Sequence, residues 1–448
     1  MTSDAQVITR FAPSPTGHLH VGNLRAAIHN WMWARRNSGQ FLLRLDDTDA
    51  ERSREEYADG IRADLAWLGM KADAEVRQSD RSTIYEARFT ELCSAGRVYP
   101  CYETTQELDL KRKVQLGRGL PPVYDRAALD LSATERSALE AQGRKPHWRF
   151  KLDHDQPIEW TDLVRGPQNF DPKLISDPVI RREDGSWLYM LPSVIDDIEM
   201  GITHVVRGED HVSNTATQIQ MFAALGASPP AFAHEALLVG SEGKLSKRLG
   251  SLGIAAFREQ GIEPITLIAL LARIGTSDPV VPVSEPSTLI ERFDFSHFGR
   301  APARFDDAEL ALLNQKIVHQ LDYEAVSASL PEGMDAAAWA AIRPNLAKVS
   351  DAQEWWQIVK GPISAPSSEP EDREFLDTAA SILLSLSFDA SIWHSLTETL
   401  KERTGRKGKA LFLPLRRALT GLDHGPDMNA LMPLIGQEQA IARLSAQD

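Results

Sequence analysis

Three groups of residues in this 448-residue chain have types and spacings suited to chemistry. The first is residues 11–23, FAPSPTGHLHVGN, between a predicted strand and a predicted helix. A helix start offers N–H groups without intrahelical partners and a partial positive charge, so it seats phosphate. Pro13 braces the loop, Gly17 and Gly22 let backbone approach a ligand, and His20 donates to phosphate oxygens as charge shifts during attack. The second is residues 243–248, GKLSKR. Lys244, Ser246, Lys247 and Arg248 crowd cationic and polar groups into one loop, which suits a clamp on a triphosphate whose lysines follow moving charge. In the third group, Arg10 and Arg207 fall at or near the C-terminal ends of predicted strands, the edge where open α/β sheets bind ligands. A guanidinium fork holds a carboxylate bidentately. Asp46, at another strand end, suits an ammonium, and Ser14 and Tyr189 add hydrogen bonds. Each residue alone also has a plainer reading as a structural histidine, a surface loop or an internal ion pair.

The elements that must position these groups follow from periodicity. Residues 7–10 read as a short strand, and Ile28, Trp31 and Met32 mark a helix over 24–37. Residues 41–45 form a second apolar strand. Tyr57, Ile61, Leu65 and Leu68 then mark a helix closed by Gly69. This rhythm predicts a parallel α/β sheet. Residues 98–190 are less regular and read as an insertion between two halves of the sheet. Strand character returns at 203–207 and 236–239, and after about residue 250 the chain is predicted to be helical throughout. Residues 361–370, rich in Pro and Ser, read as a linker.

Composition narrows the class. A hydrophobic share of 42% and a charged share of 25% describe a globular protein, of about three domains on the usual ~150-residue prior. No apolar run approaches the ~18 residues of a membrane span. The start of the chain lacks the basic-then-apolar pattern of a secretory signal. With only Cys93 and Cys101, a disulfide framework is excluded and a cytoplasmic location expected. A net charge of −14 argues against indiscriminate nucleic-acid coating but not against a specific RNA. Residues 401–417, KERTGRKGKALFLPLRR, reverse that sign locally, with seven Lys or Arg against one Glu.

The string at 11–23 resembles the first signature of class I aminoacyl-tRNA synthetases in its glutamyl form, with His20 and Asn23 in the places of its two histidines. GKLSKR resembles the second signature, in which Lys247 and Lys244 stand out as catalytic. The run SVIDDIEMGITHVVRGEDH at 193–211 is a long match to the glutamyl family, as is GRKGKALFLPLRRALTG at 405–421. The resemblance places Pro13, Gly17, His20, Gly22, Asn23, Lys244, Ser246, Lys247 and Arg248 on ATP. It places Arg10, Ser14, Asp46, Tyr189, Ser193 and Arg207 on glutamate. Asp46 stands where the family usually has Glu, and Ser193 where some relatives have Asn.

The fold so implied is a doubly wound, Rossmann-like parallel sheet with an α+β insertion, followed by all-α anticodon-binding domains. The expected division is 1–97 and 191–250 for the catalytic halves and 98–190 for an acceptor-stem-binding insertion. A stem-contact region at 251–315 and anticodon units at 316–366 and 367–448 follow. The implied partners are L-glutamate, ATP with Mg²⁺, and tRNA(Glu), for a monomer with no membrane association. Arg406, Lys407, Lys409 and Arg416 are expected to meet tRNA phosphates. Discriminating relatives carry an Arg against the last anticodon base. Here Arg343 or Asn345 fills that place, and Asn345 is favoured, which leaves charging of tRNA(Gln) an open alternative. Some relatives carry a zinc knuckle in the insertion. Cys101 is followed two places on by Glu103 and by no later Cys, so no structural zinc is expected. Two rivals are a small-molecule adenylyltransferase, which has no use for a basic helical C-terminal third, and a non-catalytic descendant, whose phosphate motifs should have eroded.

Overall fold

The structure, a computed structural model, describes residues 6–240, 253–363 and 370–445. Its centre is a five-stranded parallel sheet. Strand β1 (Ile8–Phe11) leads through helix α1 (Val21–Arg36) to β2 (Gln40–Leu45), and α2 (Glu55–Trp67) leads to β3 (Ala74–Arg77) and α3 (Ser82–Ser94). Strands β1 and β2 form because apolar and β-branched residues bury on both faces, as parallel sheets require, while β3 is the more exposed edge. In β2 every residue after Gln40 is buried. Helix α1 lays Leu24, Ala27, Ile28 and Trp31 into the core at 3.6-residue spacing. Each such aliphatic side chain contributes about 1.5–3 kcal/mol by leaving water.

An insertion then interrupts the sheet. Its strands β4 (Val98–Cys101) and β5 (His147–Phe150) flank helices α4 (Thr105–Gly117) and α5 (Ala133–Ala141). A hairpin of β6 (Ile158–Asp162) and β7 (Gly166–Phe170) follows, and then β8 (Val179–Arg181). Strands β4, β5 and β8 make an antiparallel sheet, in which Cys101 pairs with His147. Gly166 sits at φ +72°, where a side chain would be strained.

The chain returns through α6 (Met190–Glu199) to β9 (His204–Gly208), α7 (Val212–Ala224) and β10 (Ala231–Glu235). The order β10-β9-β1-β2-β3 reverses direction between β1 and β9, and the crevice at such a switch point is where open α/β sheets bind ligands. Arg10 is on β1 and Arg207 on β9, so the reversal puts the two on neighbouring strands.

Two sequence expectations need correction. The strand predicted at 236–239 straddles a break: the sheet strand is β10, before it, and β11 (Leu238–Gly240) pairs instead with β12 (Ala303–Phe305). The uniform helix expected after residue 250 is therefore interrupted by β12. Its Phe305 is fully buried and meets the Phe257 ring edge-on, which holds the segment extended.

The chain divides into two compact units. The first runs to Phe257 and takes in 267–280 and 285–306; the second comprises 258–266, 281–284 and everything from 307 on. The described part of the second unit from 307 on is built of helices, among them Asp307–Val318, Ala336–Ile342, Pro370–Ser385, Ile392–Thr404 and Lys409–Thr420. Trp339, Ile342, Leu383, Leu396, Leu415 and Leu431 are buried there. Residues 364–369, within the expected linker, lie outside the described residues.

Candidate active site

A cavity of about 650 Å³ opens at the C-terminal ends of β1, β2 and β9. Arg10, Pro13, Ser14, His20, Gly22 and Asn23 line it. So do Asp46, Tyr189, Ser193 and Arg207, which brings together every expected glutamate residue. Gly17 does not line it, and a Cβ there would meet nothing within 4 Å, so sterics do not explain that glycine. Lys244, Ser246, Lys247 and Arg248 lie outside the described residues.

His20 is the N-cap of α1. Its Nδ1 accepts from Gly22 N at 3.1 Å and Asn23 N at 3.4 Å, while Asn23 Oδ1 accepts from His20 N at 2.8 Å. This reciprocal pair closes a capping box. Two expectations change as a result. The N–H groups of Gly22 and Asn23 are already taken by the imidazole, and Asn23 Oδ1 caps backbone while the residue also lines the cavity. Gly22 is needed for the ring itself, because a Cβ there would come within 3.1 Å of it. With Nδ1 accepting, the neutral ring carries its proton on Nε2, and burial lowers the His20 pKa. His20 therefore offers one N–H donor beside its capping role.

Under the pocket lies a buried ion cluster. Arg44 is fully buried; it donates from Nε to Asp46 Oδ1 at 2.7 Å and from Nη2 to Asp46 Oδ2 at 3.3 Å. Its Nη1 donates to Asp197 Oδ1 at 2.7 Å and its Nη2 to Ser193 Oγ at 3.0 Å. Arg10 donates from Nε to the same Asp197 oxygen at 3.1 Å. Burial raises Asp46 above the usual carboxylate range, with Arg44 opposing. At Asp197 burial is outweighed by Arg10 and Arg44, and the carboxyl stays below its usual range. Asp46 is thus already paired with a cation. Ser193 faces Arg44.

The two pocket arginines differ in what they leave free. Among the described residues Arg10 uses only Nε internally, which leaves Nη1 and Nη2 as an end-on fork. Arg207 donates from Nε to His234 Nε2 at 3.3 Å, and from Nη2 to Thr215 Oγ1 at 2.6 Å and Gln218 Oε1 at 2.7 Å. Only its Nη1 has no partner among the described residues. Among the described residues, two unpartnered guanidinium nitrogens are left on Arg10 and one on Arg207. Burial first, and Arg10 second, push the Arg207 pKa down to about 10. A carboxylate entering the pocket would relieve that repulsion. Tyr189 receives a hydrogen bond from Asn214, which fixes its hydroxyl at the pocket mouth.

Sequence reading missed Arg44, Asp197, His234 and Asp162. A charged residue within the apolar run FLLRL was the available signal for Arg44. In the insertion, ligand atoms of Cys101, Glu103 and His147 lie within 4.8 Å of one another. Counting cysteines alone overlooked His147, which β-pairing brings opposite Cys101. Tyr124 Oη donates to Glu103 Oε1 at 2.8 Å there, and burial pushes the Cys101 thiol up to about 12.

In the second unit, Arg343 donates to Leu321 O at 2.7 Å, whereas Asn345 is exposed. Arg406 donates to Asp372 and to Glu371 O, and lies 4.3 Å over the Phe375 ring. Lys407 and Lys409 are exposed, and Arg416 is half-buried.

Residues 6–311 match the family of class I tRNA synthetases (E and Q), catalytic domain, and residues 360–447 match an anticodon-binding domain. The chain is 68% identical over 440 residues to glutamate–tRNA ligase 1 of Rhizorhabdus wittichii, covering 98% of this chain and 99% of that one. It is 67% identical over 445 residues to glutamate–tRNA ligase 2 of Erythrobacter litoralis, covering 98% of each. Among solved structures, a glutamate tRNA ligase from Elizabethkingia meningosepticum in complex with its amino acid superposes with a TM-score of 0.84 at 28% identity, over 99% of each chain. The fold, the pocket and these matches agree: the chain belongs to the glutamate–tRNA ligase family of class I aminoacyl-tRNA synthetases.

Proposed function

We propose that the protein activates L-glutamate with ATP and transfers it to the 3′-terminal adenosine of tRNA(Glu). The observation that carries this reading is the pair of arginines at the switch point, with unused donors on one cavity that also receives His20. A carboxylate oxygen of glutamate attacks the α-phosphorus, and the bond to pyrophosphate breaks, leaving glutamyl-AMP. A terminal ribose hydroxyl then attacks the acyl carbon and AMP departs. Arg10 takes one carboxylate end-on and Arg207 meets the other through Nη1. Asp46 shares its charge between Arg44 and the substrate ammonium, and Tyr189 and Ser14 border the pocket mouth.

The His20 Nε2–H stabilises phosphate charge in the first step. Lys247 and Lys244 complete that stabilisation, with Ser246 and Arg248 on the triphosphate. Mg²⁺ enters with ATP, and the proposal includes no structural zinc. The insertion at 98–190 binds the acceptor stem, and the helices at 316–366 and 367–448 read the anticodon. The protein works as a cytoplasmic monomer. Exposed Asn345 faces the last anticodon base, and an Asn there admits tRNA(Gln) as a second substrate.

Charging of purified tRNA(Glu) and tRNA(Gln) with labelled glutamate, ATP and Mg²⁺ tests both parts. Glutamate on both tRNAs supports the full reading. Glutamate on tRNA(Glu) alone removes the relaxed specificity. Glutamate on neither overturns the function.

A further inference from the structure

Among the described residues, Arg207 hydrogen-bonds to no carboxylate. Among the described residues its internal hydrogen-bond partners are all neutral acceptors: His234 Nε2, Thr215 Oγ1 and Gln218 Oε1. Behind His234 stands a carboxylate: Asp162 Oδ2 lies 2.5 Å from His234 Nδ1. Both Asp162 and His234 are almost fully buried. Asp162 Oδ1 also accepts from Val164 N at 3.0 Å, Arg165 N at 2.9 Å and His234 N at 3.1 Å. Four donors on one carboxylate hold it ionised and fixed in place.

An ionised Asp162 makes Nδ1 the protonated nitrogen of the imidazole. Nε2 is then an obligatory acceptor, turned toward Arg207 and the Thr215 hydroxyl, which stands 2.8 Å away. The opposite tautomer would aim an N–H at the arginine. The arrangement does two things at once. It locks the guanidinium at Nε and Nη2, so that only Nη1 faces the pocket. It also keeps Asp162 out of direct contact with the positive charge, because a neutral ring separates the two. A carboxylate in direct contact would fix the pose equally well but would remove the reason for a substrate carboxylate to bind.

We propose that Asp162 and His234 are positioning residues that present Arg207 to a substrate carboxylate and so contribute to selection of glutamate over its uncharged carboxamide analogue. This rests on the reading of Arg207 as a glutamate ligand. Asp162 belongs to the β6–β7 hairpin of the insertion, so the amino-acid pocket is completed by a segment outside the parallel sheet.

The test compares Asp162→Asn with Arg207→Lys in full charging assays on tRNA(Glu), measuring KM for glutamate, KM for ATP, glutamine as competitor, and Tm. An Asn amide can donate to Nδ1 and favour the wrong tautomer at nearly constant shape. The expected result for Asp162→Asn is a rise of about tenfold or more in glutamate KM, the size of one lost hydrogen bond to a charged group. Glutamine should compete better, while ATP KM and Tm stay near wild type. If Arg207→Lys raises glutamate KM but Asp162→Asn does not, the positioning role is overturned and the pocket assignment stands. If both KM values rise together as Tm falls, Asp162 is structural only and the proposal fails. If Arg207→Lys leaves glutamate KM unchanged, the pocket reading fails and this inference with it. Thr215→Val, which removes the hydroxyl bridging Arg207 and His234, gives the same readout should Asp162→Asn not fold, with the same rise expected.

Discussion

Arg44 and Asp46, two positions apart on and just beyond β2, form a two-pronged ion pair with Nε–Oδ1 at 2.7 Å and Nη2–Oδ2 at 3.3 Å. Side chains at i and i+2 of an extended chain share a face, so the sequence itself brings them together. Arg44 also holds Asp197 from a distant helix, the same carboxylate that orients Arg10. Removing one partner from a buried cluster leaves charge uncompensated. Arg44→Met should therefore cost about 3–5 kcal/mol of stability. Urea unfolding followed by circular dichroism measures it, and a loss below about 1 kcal/mol would show that the aspartates find other partners.

His20 combines two roles that substitution can separate. Asn is a favoured N-cap residue and can accept from the N2 and N3 N–H groups, but it lacks a donor where Nε2–H stands. His20→Asn should keep Tm near wild type while kcat falls about 10²–10³-fold, as when a single charge-stabilising donor is removed. His20→Ala loses the cap as well and should cost a further ~1 kcal/mol. Steady-state kinetics and thermal melts on the two variants check this. Equal Tm in both would mean that the capping bonds contribute nothing.

How much of this was legible in the sequence depends on how local each contact is. The strand–loop–helix setting of residues 11–23 and the strand ends carrying Arg10, Asp46 and Arg207 follow from short-range pattern. The expected glutamate residues do meet at one cavity. What the sequence hid are partners far along the chain: Arg44 with Asp197, 153 residues apart, and Asp162 with His234, 72 apart. Strand β10 was missed because its AFAHE buries a histidine and a glutamate, which weakens the apolar signal. The imidazole of His20 was read only as a phosphate donor, because histidine is not among the residues expected to cap a helix.

Acid should destabilise the protein at mild pH. Burial lowers the pKa of His20, His204, His211 and His234 from the ordinary 6.5. The unfolded chain then binds protons more tightly than the folded one. Stability is fully present above pH 6.5 and is lost as pH falls through the lowered folded values. The depressed carboxyls of Asp162 and Asp197 add their loss only at lower pH, below their ordinary 3.8. Tm measured from pH 7.5 to 5 should decline progressively below 6.5. A flat profile across that window would contradict the lowered pKa of these four rings.

The basic C-terminal run divides into side chains with inward and outward partners. Arg406 is bound to Asp372, to Glu371 O and over Phe375, so Arg406→Ala should lower Tm. Lys407 and Lys409 are exposed, and phosphate contacts release counterions in proportion to their number. The double change Lys407→Ala with Lys409→Ala should leave Tm unchanged and reduce the salt slope of tRNA binding by about 2. Filter binding between 50 and 200 mM salt reads this out, and an unchanged slope would place the phosphates elsewhere.

The proposed discrimination between tRNA(Glu) and tRNA(Gln) would turn on two neighbours with different surroundings. Arg343 is tied to Leu321 O at 2.7 Å and 3.7 Å from Asp322, while Asn345 stands exposed two residues on, in the same short turn. The bond through Nη1 anchors Arg343 on its own fold, whereas the exposed Asn345 amide is placed to reach an unstacked base. Asn345→Arg should therefore raise the ratio of charging efficiency on tRNA(Glu) over tRNA(Gln), by about tenfold for one added base-reading contact. Arg343→Ala should lower Tm with that ratio unchanged. A ratio that moves with Arg343→Ala and not with Asn345→Arg would assign the reading to Arg343, with its bond to Leu321 O broken when RNA is bound.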